Sequence, residues 1–156
     1  MRLRYRILTG TAVVLVVAAA AIAFVLSHEA PCPSSPPDSE SDDAMRAWVH
    51  RCYGGTEALS LERHDRPVPA DDELLVRVAA AAVNPYDWHF MTGSPYLMRL
   101  MTGLSRPDEI RVGADFSGTV VAVGADVTRF APGDELFGSA TGSFAEYLTV
   151  TEDGPV

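Results

Sequence analysis

Lysine and glutamine are absent from this chain of 156 residues, and asparagine occurs once, at Asn84. All 12 basic residues are arginine, so the chain offers no Schiff-base nucleophile and no phosphate-gripping ammonium. Cysteine occurs only as Cys32 and Cys52, too few for a disulfide scaffold or for a zinc site of thiolates. In an oxidising compartment the two can pair, a point the sequence leaves open. His28, His50, His64 and His89 lie far apart, and none forms a pair with metal-ligand spacing. Basic residues are outnumbered, and the formal net charge of −9 argues against nucleic acid as a partner. Phosphate loops are missing too. No Gly-x-Gly-x-x-Gly occurs, and after Gly113–Gly118 a Thr stands where a P-loop needs Lys. The Gly138–Gly142 segment has the wrong order for a serine nucleophile elbow.

What is present begins with one long apolar run. Arg2, Arg4 and Arg6 precede Ile7–Leu26, which carries no charge, and acids such as Glu29, Asp38, Glu40, Asp42 and Asp43 follow it. As a helix this run spans about 30 Å, the thickness of a bilayer's hydrocarbon core. Residues 7–26 therefore read as a transmembrane helix in contact with lipid, with residues 1–6 as a basic cytoplasmic N-terminus. A cleaved signal peptide is a second reading, and translation from Met45, which would leave the protein cytoplasmic, a third. Residues 27–44, rich in Pro, Ser and acids, are expected to be an extended, disordered linker.

Residues 45–156 hold the folded part, and 47% hydrophobic composition lets the chain bury a core. Short β-runs are punctuated by Gly and Pro: strands are expected at Arg46–Tyr53, Leu59–Arg63, Glu73–Val83, Thr119–Val123 and Ser143–Val150, the fourth fully buried. Helical turns are expected at Tyr86–Thr92 and at Tyr96–Met101, where Tyr96, Leu97, Leu100 and Met101 share one face. The fold class is mainly β, a small, partly open barrel with short helices. Val83–His89 interrupts the longest strand. Pro85 cannot continue a ladder and biases Asn84 toward an extended backbone. Asn84 there is either a ligand contact at the mouth of the β-scaffold or the closing residue of an Asx turn. Asp87 and Asp115 are either a carboxylate pair or a cap and a loop acid; His89 is either a proton carrier or a solvated cap.

The order of five motifs carries further. They are Met45-Arg-Ala-Trp-Val-His-Arg-Cys-Tyr-Gly, Val76-Arg-Val-Ala-Ala-Ala-Ala-Val-Asn-Pro-Tyr-Asp-Trp, Gly113-Ala-Asp-Phe-Ser-Gly-Thr-Val-Val-Ala-Val-Gly, Arg129-Phe-Ala-Pro-Gly-Asp-Glu-Leu-Phe-Gly and Gly142-Ser-Phe-Ala-Glu-Tyr. Together they resemble the N-terminal, GroES-like domain of the medium-chain dehydrogenase/reductase superfamily, in its zinc-independent quinone oxidoreductase branch. Zinc alcohol dehydrogenases hold a metal-binding Cys at the position of Asn84 and a His-Glu pair at Ala114-Asp115. The residues here suit zinc poorly. No four-Cys lobe follows Gly133.

The resemblance implies hydride transfer from NADPH to a quinone or an α,β-unsaturated carbonyl, without zinc. Asn84 would face the cofactor's nicotinamide, and Tyr86, Asp87, Trp88 and His89 would line the substrate pocket. His89 stands where many relatives carry Lys. In the family a Rossmann domain follows the Glu146-Tyr147 strand, whereas this chain ends at Val156. The expectation is a truncated oxidoreductase, inactive alone, with an exposed apolar patch where the other domain would pack. The alternative is a membrane-tethered, non-catalytic binding module. Arg asymmetry places the domain outside the cytoplasm, where NADPH is not expected, and so conflicts with the enzymatic reading.

Overall fold

The computed structural model describes residues 2–28 and 30–156, with side chains from residue 9 onward. Glu29 and the side chains of Arg2, Arg4 and Arg6 lie outside the described residues. Helix α1 is Arg2–Ser27. Its Thr9–Ser27 portion is long and apolar enough to cross a membrane by length and composition. Its side chains stand exposed rather than packed into the β-domain.

The rest is mainly β. Strands β1 (Ala44–His50) and β2 (Leu59–Asp65) pair antiparallel, with Trp48 opposite Leu61. Strands β3 (Glu73–Ala82), β4 (Asp115–Val123), β5 (Glu135–Ser139) and β6 (Tyr147–Thr151) form an antiparallel sheet in the order β5-β4-β3-β6. Register shifts at Leu75/Val76 and Val78/Ala80 mark irregularities that let β3 bend against β4. The two sheets do not merge into a closed ring. They are joined by bridges at Ala47–Ala145 and Val49–Arg111 and by bonds such as Trp48 N to Phe144 O.

Alternation along the strands fixes the core. Leu74, Val76, Phe116, Val120, Leu136, Leu148 and Val150 point inward and pack together, while Arg77 and Val121 face out. The fourth expected strand is therefore longer than Thr119–Val123 and is not buried throughout, because Val121 lies on its open face. Gly118 sits where β4 crosses β3. A Cβ there would run into the Arg77 carbonyl, so glycine is what lets the strands meet. Strand β5 was not anticipated: five residues between two turns give a weak local signal, and pairing with residues 115–119 of β4 makes it a strand. The last strand is shorter than the expected Ser143–Val150 and lies at Tyr147–Thr151, because Phe144–Glu146 bond across to β1 instead.

The helical turn expected at Tyr96–Met101 is also revised. It divides into a 3-10 turn, Tyr96–Met98, and helix α3, Arg99–Thr102. Its apolar face points outward: Leu97, Leu100 and Met101 are 66%, 61% and 89% exposed, while Arg99 is 1% exposed. Helical spacing identifies a shared face but not which way that face turns.

The described residues between α1 and β1 contain no regular element until Ala44, yet they are fastened along the hairpin. Cys32 is disulfide-bonded to Cys52. Asp38 accepts from Arg63 N at 3.0 Å, and Ser39 N donates to Arg63 O at 3.0 Å, covering the outer edge of β2. The chain expected to hang free thus makes tertiary contacts. Its composition is that of a solvated linker, and its anchors come from a distant strand.

Glu62 on β2 is the buried hub of these contacts. Arg51 binds it through two nitrogens at 3.1 and 2.7 Å, and the hydroxyls of Ser35 and Ser60 donate to Oε1. The Arg51 guanidinium holds its carboxyl at about 2, well below the ordinary 4.5. Its stabilising effect is complete above about pH 4.5 and fades as pH falls toward 2. Urea unfolding of the detergent-solubilised chain checks this. Glu62→Gln is expected to lose on the order of 3 kcal/mol at pH 7 and to converge on the parent as acid protonates Glu62.

Candidate functional site

The site grows from the end of β3. Ala79–Ala82 carries the strand to the surface, and Pro85, which has no N–H to donate, is suited to the first turn of helix α2, Pro85–Thr92. Asn84 caps that helix from an extended backbone. Its Oδ1 accepts from Tyr86 N at 2.7 Å, and its own N–H donates to Asp87 Oδ2 at 2.8 Å, the reciprocal bonding of a capping box. Its Nδ2 donates to Asp115 Oδ2 on β4 at 2.6 Å. One amide thereby joins the end of β3, the start of α2 and the start of β4. At the far end Gly93 adopts the left-handed conformation with φ 57°, and a Cβ there would strike the Tyr53 ring and the Arg99 guanidinium.

The residues singled out from sequence fall into two groups. Tyr86 and Trp88 stand half-exposed on α2, with Tyr86 stacked on Phe90 at 4.1 Å between centroids. Asp87 and His89 turn inward or sideways. Asp87 is buried beneath the helix start, with Oδ1 lacking a partner. His89 Nδ1 is bonded to Ser94 O at 2.6 Å, and its ring meets Trp88 edge-on. Asp87 and Asp115 do not touch as an acid pair; Asn84 stands between them and bonds each. Asp87 is a helix cap and Asp115 an acceptor on β4, the plainer of the two readings each allowed.

Beside α2 lies a small cavity of about 70 Å³, lined by His50, Tyr86, Asp87, Phe90, Glu109 and Arg111, among others. Sequence reasoning passed over His50, Glu109 and Arg111. Arg111 chelates Glu109 at 3.0 and 2.9 Å, holding the Glu109 carboxyl below its usual range. His50 is buried with Nδ1 unpaired, and desolvation pushes its pKa below the ordinary 6.5, so the ring is neutral at pH 7. No local motif joins these three. His50 ends β1, and its N–H reaches Ile110 O across the fold.

A second, open groove of about 600 Å³ runs beside β3 and is walled by Trp48, Leu61, Val78–Ala81, Val83 and Phe144–Glu146. Val83 and Phe137 are among the most exposed apolar side chains.

The site does not fit zinc. The Asn84 oxygen is occupied by Tyr86 N, its nitrogen donates to a carboxylate, and Ala114 has no donor atom. Both cysteines are in the disulfide, and no cluster of three His, Cys, Asp or Glu that could hold a metal occurs among the described residues.

Asn84→Asp tests the bridge. It preserves a capping side chain but sets a carboxylate against Asp115, where the amide donates now. At pH 7 it should lose about 1–2 kcal/mol in urea unfolding and recover below about pH 4. Adding Asp115→Asn should restore stability at neutral pH. Equal stability of Asn84→Asp and the parent at pH 7 would show that the Asn84–Asp115 contact carries no weight.

Comparison with known proteins agrees with this geometry. Residues 70–156 match the alcohol dehydrogenase GroES-like domain. A trans-enoyl reductase of Fusarium mangiferae is 39% identical over 110 residues, which are 70% of this chain and 26% of that protein. An NADPH-dependent alkenal/one oxidoreductase of Arabidopsis thaliana chloroplasts is 32% identical over 126 residues, 74% of this chain and 31% of that protein. The structure of the quinone oxidoreductase from Coxiella burnetii superposes with a TM-score of 0.64 at 27% identity, covering 72% of this chain and 36% of that one. The chain spans about a quarter to a third of the length of the curated relatives it matches. By the match over residues 70–156 and the fold that carries it, the chain belongs to the alcohol dehydrogenase GroES-like domain family.

Proposed function

We propose that residues 45–156 are the substrate-side domain of a zinc-independent, NADPH-dependent oxidoreductase that reduces a quinone or an α,β-unsaturated carbonyl. The observation that carries this reading is Asn84. An amide fixed by Tyr86 N and Asp115 stands where, by the family resemblance, zinc-using relatives place a thiolate, and its position at the start of α2 sets the direction of Tyr86 and Trp88. NADPH, when bound, supplies the hydride. The contribution of this chain is position. Asn84 meets the nicotinamide side, and Tyr86 and Trp88 border the substrate. Asp87 and His89 hold the helix on which those two rings stand. No Gly-x-Gly-x-x-Gly occurs in the chain, so the dinucleotide phosphates would be gripped by residues outside it.

A chimera tests this. Residues 45–156 replace the first domain of the Coxiella burnetii quinone oxidoreductase, and NADPH oxidation is followed with benzoquinone and with methyl vinyl ketone. Turnover is expected with at least one of them, and Asn84→Ala should lower kcat/KM about tenfold or more. A chimera that binds NADPH and turns over neither acceptor would sink the proposal.

A second reading, a membrane-tethered binding module without catalysis, draws support from the other end of the chain. Thr9–Ser27 can span a bilayer, and none of it is buried. The disulfide Cys32–Cys52 suits an oxidising compartment, as does an orientation with the N-terminus in the cytoplasm and the domain across the membrane. NADPH is not expected there. Membranes carrying the full chain should retain it through carbonate extraction, and maleimide should label it only after reduction. Labelling without reductant would return the domain to a reducing compartment and favour the enzyme.

A further inference from the structure

The turn from Tyr96 to Leu104 has its sides reversed. A short amphipathic element normally buries its apolar side chains and leaves its charge in water. Here Arg99 is inside. Its Nε donates to Gly93 O at 3.0 Å, and its guanidinium lies over the rings of Tyr53 and Tyr96 at 4.4 and 4.7 Å. Tyr96, Leu97, Leu100, Met101 and Leu104 are exposed around it. The surroundings are equally unusual for so acidic a chain. Between Asp87 and Asp108 no acidic residue occurs, although the chain holds 21 acids.

The end of α1 meets this patch. Arg99 Nη1 donates to Leu26 O at 3.3 Å, Ala30 N donates to Ser105 O at 2.9 Å, and α1 packs against the Tyr96–Met98 turn. Leu26 is the last apolar residue of the run that opens the chain. No free linker separates the helix end from the domain, so residues around Arg99 lie at the level where α1 leaves the hydrocarbon.

We propose that Tyr96, Leu97, Leu100, Met101 and Leu104 form a lipid-docking surface that seats the domain in the headgroup region of the bilayer spanned by α1. This rests on the anchor reading above. The chemistry suits an interface: a tyrosine at headgroup depth and aliphatic side chains below it, with the nearest described carboxylates, Asp108 and Glu109, set to one side in the cavity that Met101 shares with them. Continuity with α1 identifies the occupant, because lipid already surrounds the helix that the patch adjoins. Burying these side chains in the acyl boundary recovers the hydrophobic stabilisation that their outward orientation otherwise forfeits.

The test uses the full chain in phosphatidylcholine vesicles that contain bromine-labelled lipid. Trp48→Phe and Trp88→Phe supply a background, and Met101→Trp, Leu104→Trp or Val68→Trp supplies one reporter each. Val68 is exposed on the β2–β3 loop, away from the patch. Lipid bromines near the headgroup should quench the reporters at Met101 and Leu104 about twofold or more over the reporter at Val68. Flotation of the same vesicles separates the two ways to fail. Chain that floats but shows equal quenching at all three positions overturns the docking surface and leaves the anchor standing. Chain that does not float overturns both. A patch reporter shielded only as protein concentration rises would make the occupant a second copy of this chain, and overturns lipid docking.

Discussion

One carboxamide sets the geometry on which the site depends. Asn84 must satisfy the backbone of α2, accept the constraint of Pro85, and hold Asp115 on the neighbouring strand. Each task alone is commonplace for a cap residue. Together they require an acceptor and a donor on separate atoms of one short side chain, so that one faces Tyr86 N while the other reaches Asp115, which an amide supplies. Serine could cap but lacks the reach and second donor for Asp115; aspartate could cap but would repel it. The buried Asp87 then follows. It lies under the helix start, where its Oδ2 accepts from Asn84 N–H at 2.8 Å. Tyr86 and Trp88 are displayed outward because Asp87 takes the inward position between them.

That much was legible in the residues. The break at Asn84-Pro85, the small-residue strand before it and the helical turn after it are local features, and local features are what sequence patterns encode. The ends of β1, β3 and α2 fell within a few residues of expectation for the same reason. What escaped was made by contacts distant in sequence. Strand β5 exists because β4 offers it a partner. Glu62 is a hub because Ser35 and Arg51 reach it from segments with no pattern of their own. His50, Glu109 and Arg111 meet only once β1 has crossed the fold.

The Tyr96–Met101 turn shows a subtler limit. Its periodicity marks a shared apolar face, yet that face turns outward. The sequence could not reveal that Tyr53, the Gly93 carbonyl and the end of α1 together make a better environment for Arg99 than for a leucine. A guanidinium takes that place because its planar fork meets several carbonyls and two aromatic faces at once, and it keeps its charge when desolvated. The inversion leaves Leu97, Leu100 and Met101 exposed.

Two halves of this molecule ask for different surroundings. The fold at Asn84 belongs to a family that works beside a reduced dinucleotide, made and kept in reducing compartments. The Cys32–Cys52 bond persists only where thiols are oxidised, and it closes a loop of 20 residues, long enough for about 3 kcal/mol of stabilisation by chain entropy. It clasps the linker to β1 at the point where α1 enters, so it acts on the tether and not on the Asn84 site. The segment before the barrel and the Asn84 site are held by separate bonds: the disulfide fastens the first, and Tyr86 N and Asp115 fix the second. Arg99 links the two: it donates to the Leu26 carbonyl at the end of α1 and to the Thr92 and Gly93 carbonyls at the end of α2, the helix on which Tyr86 and Trp88 stand.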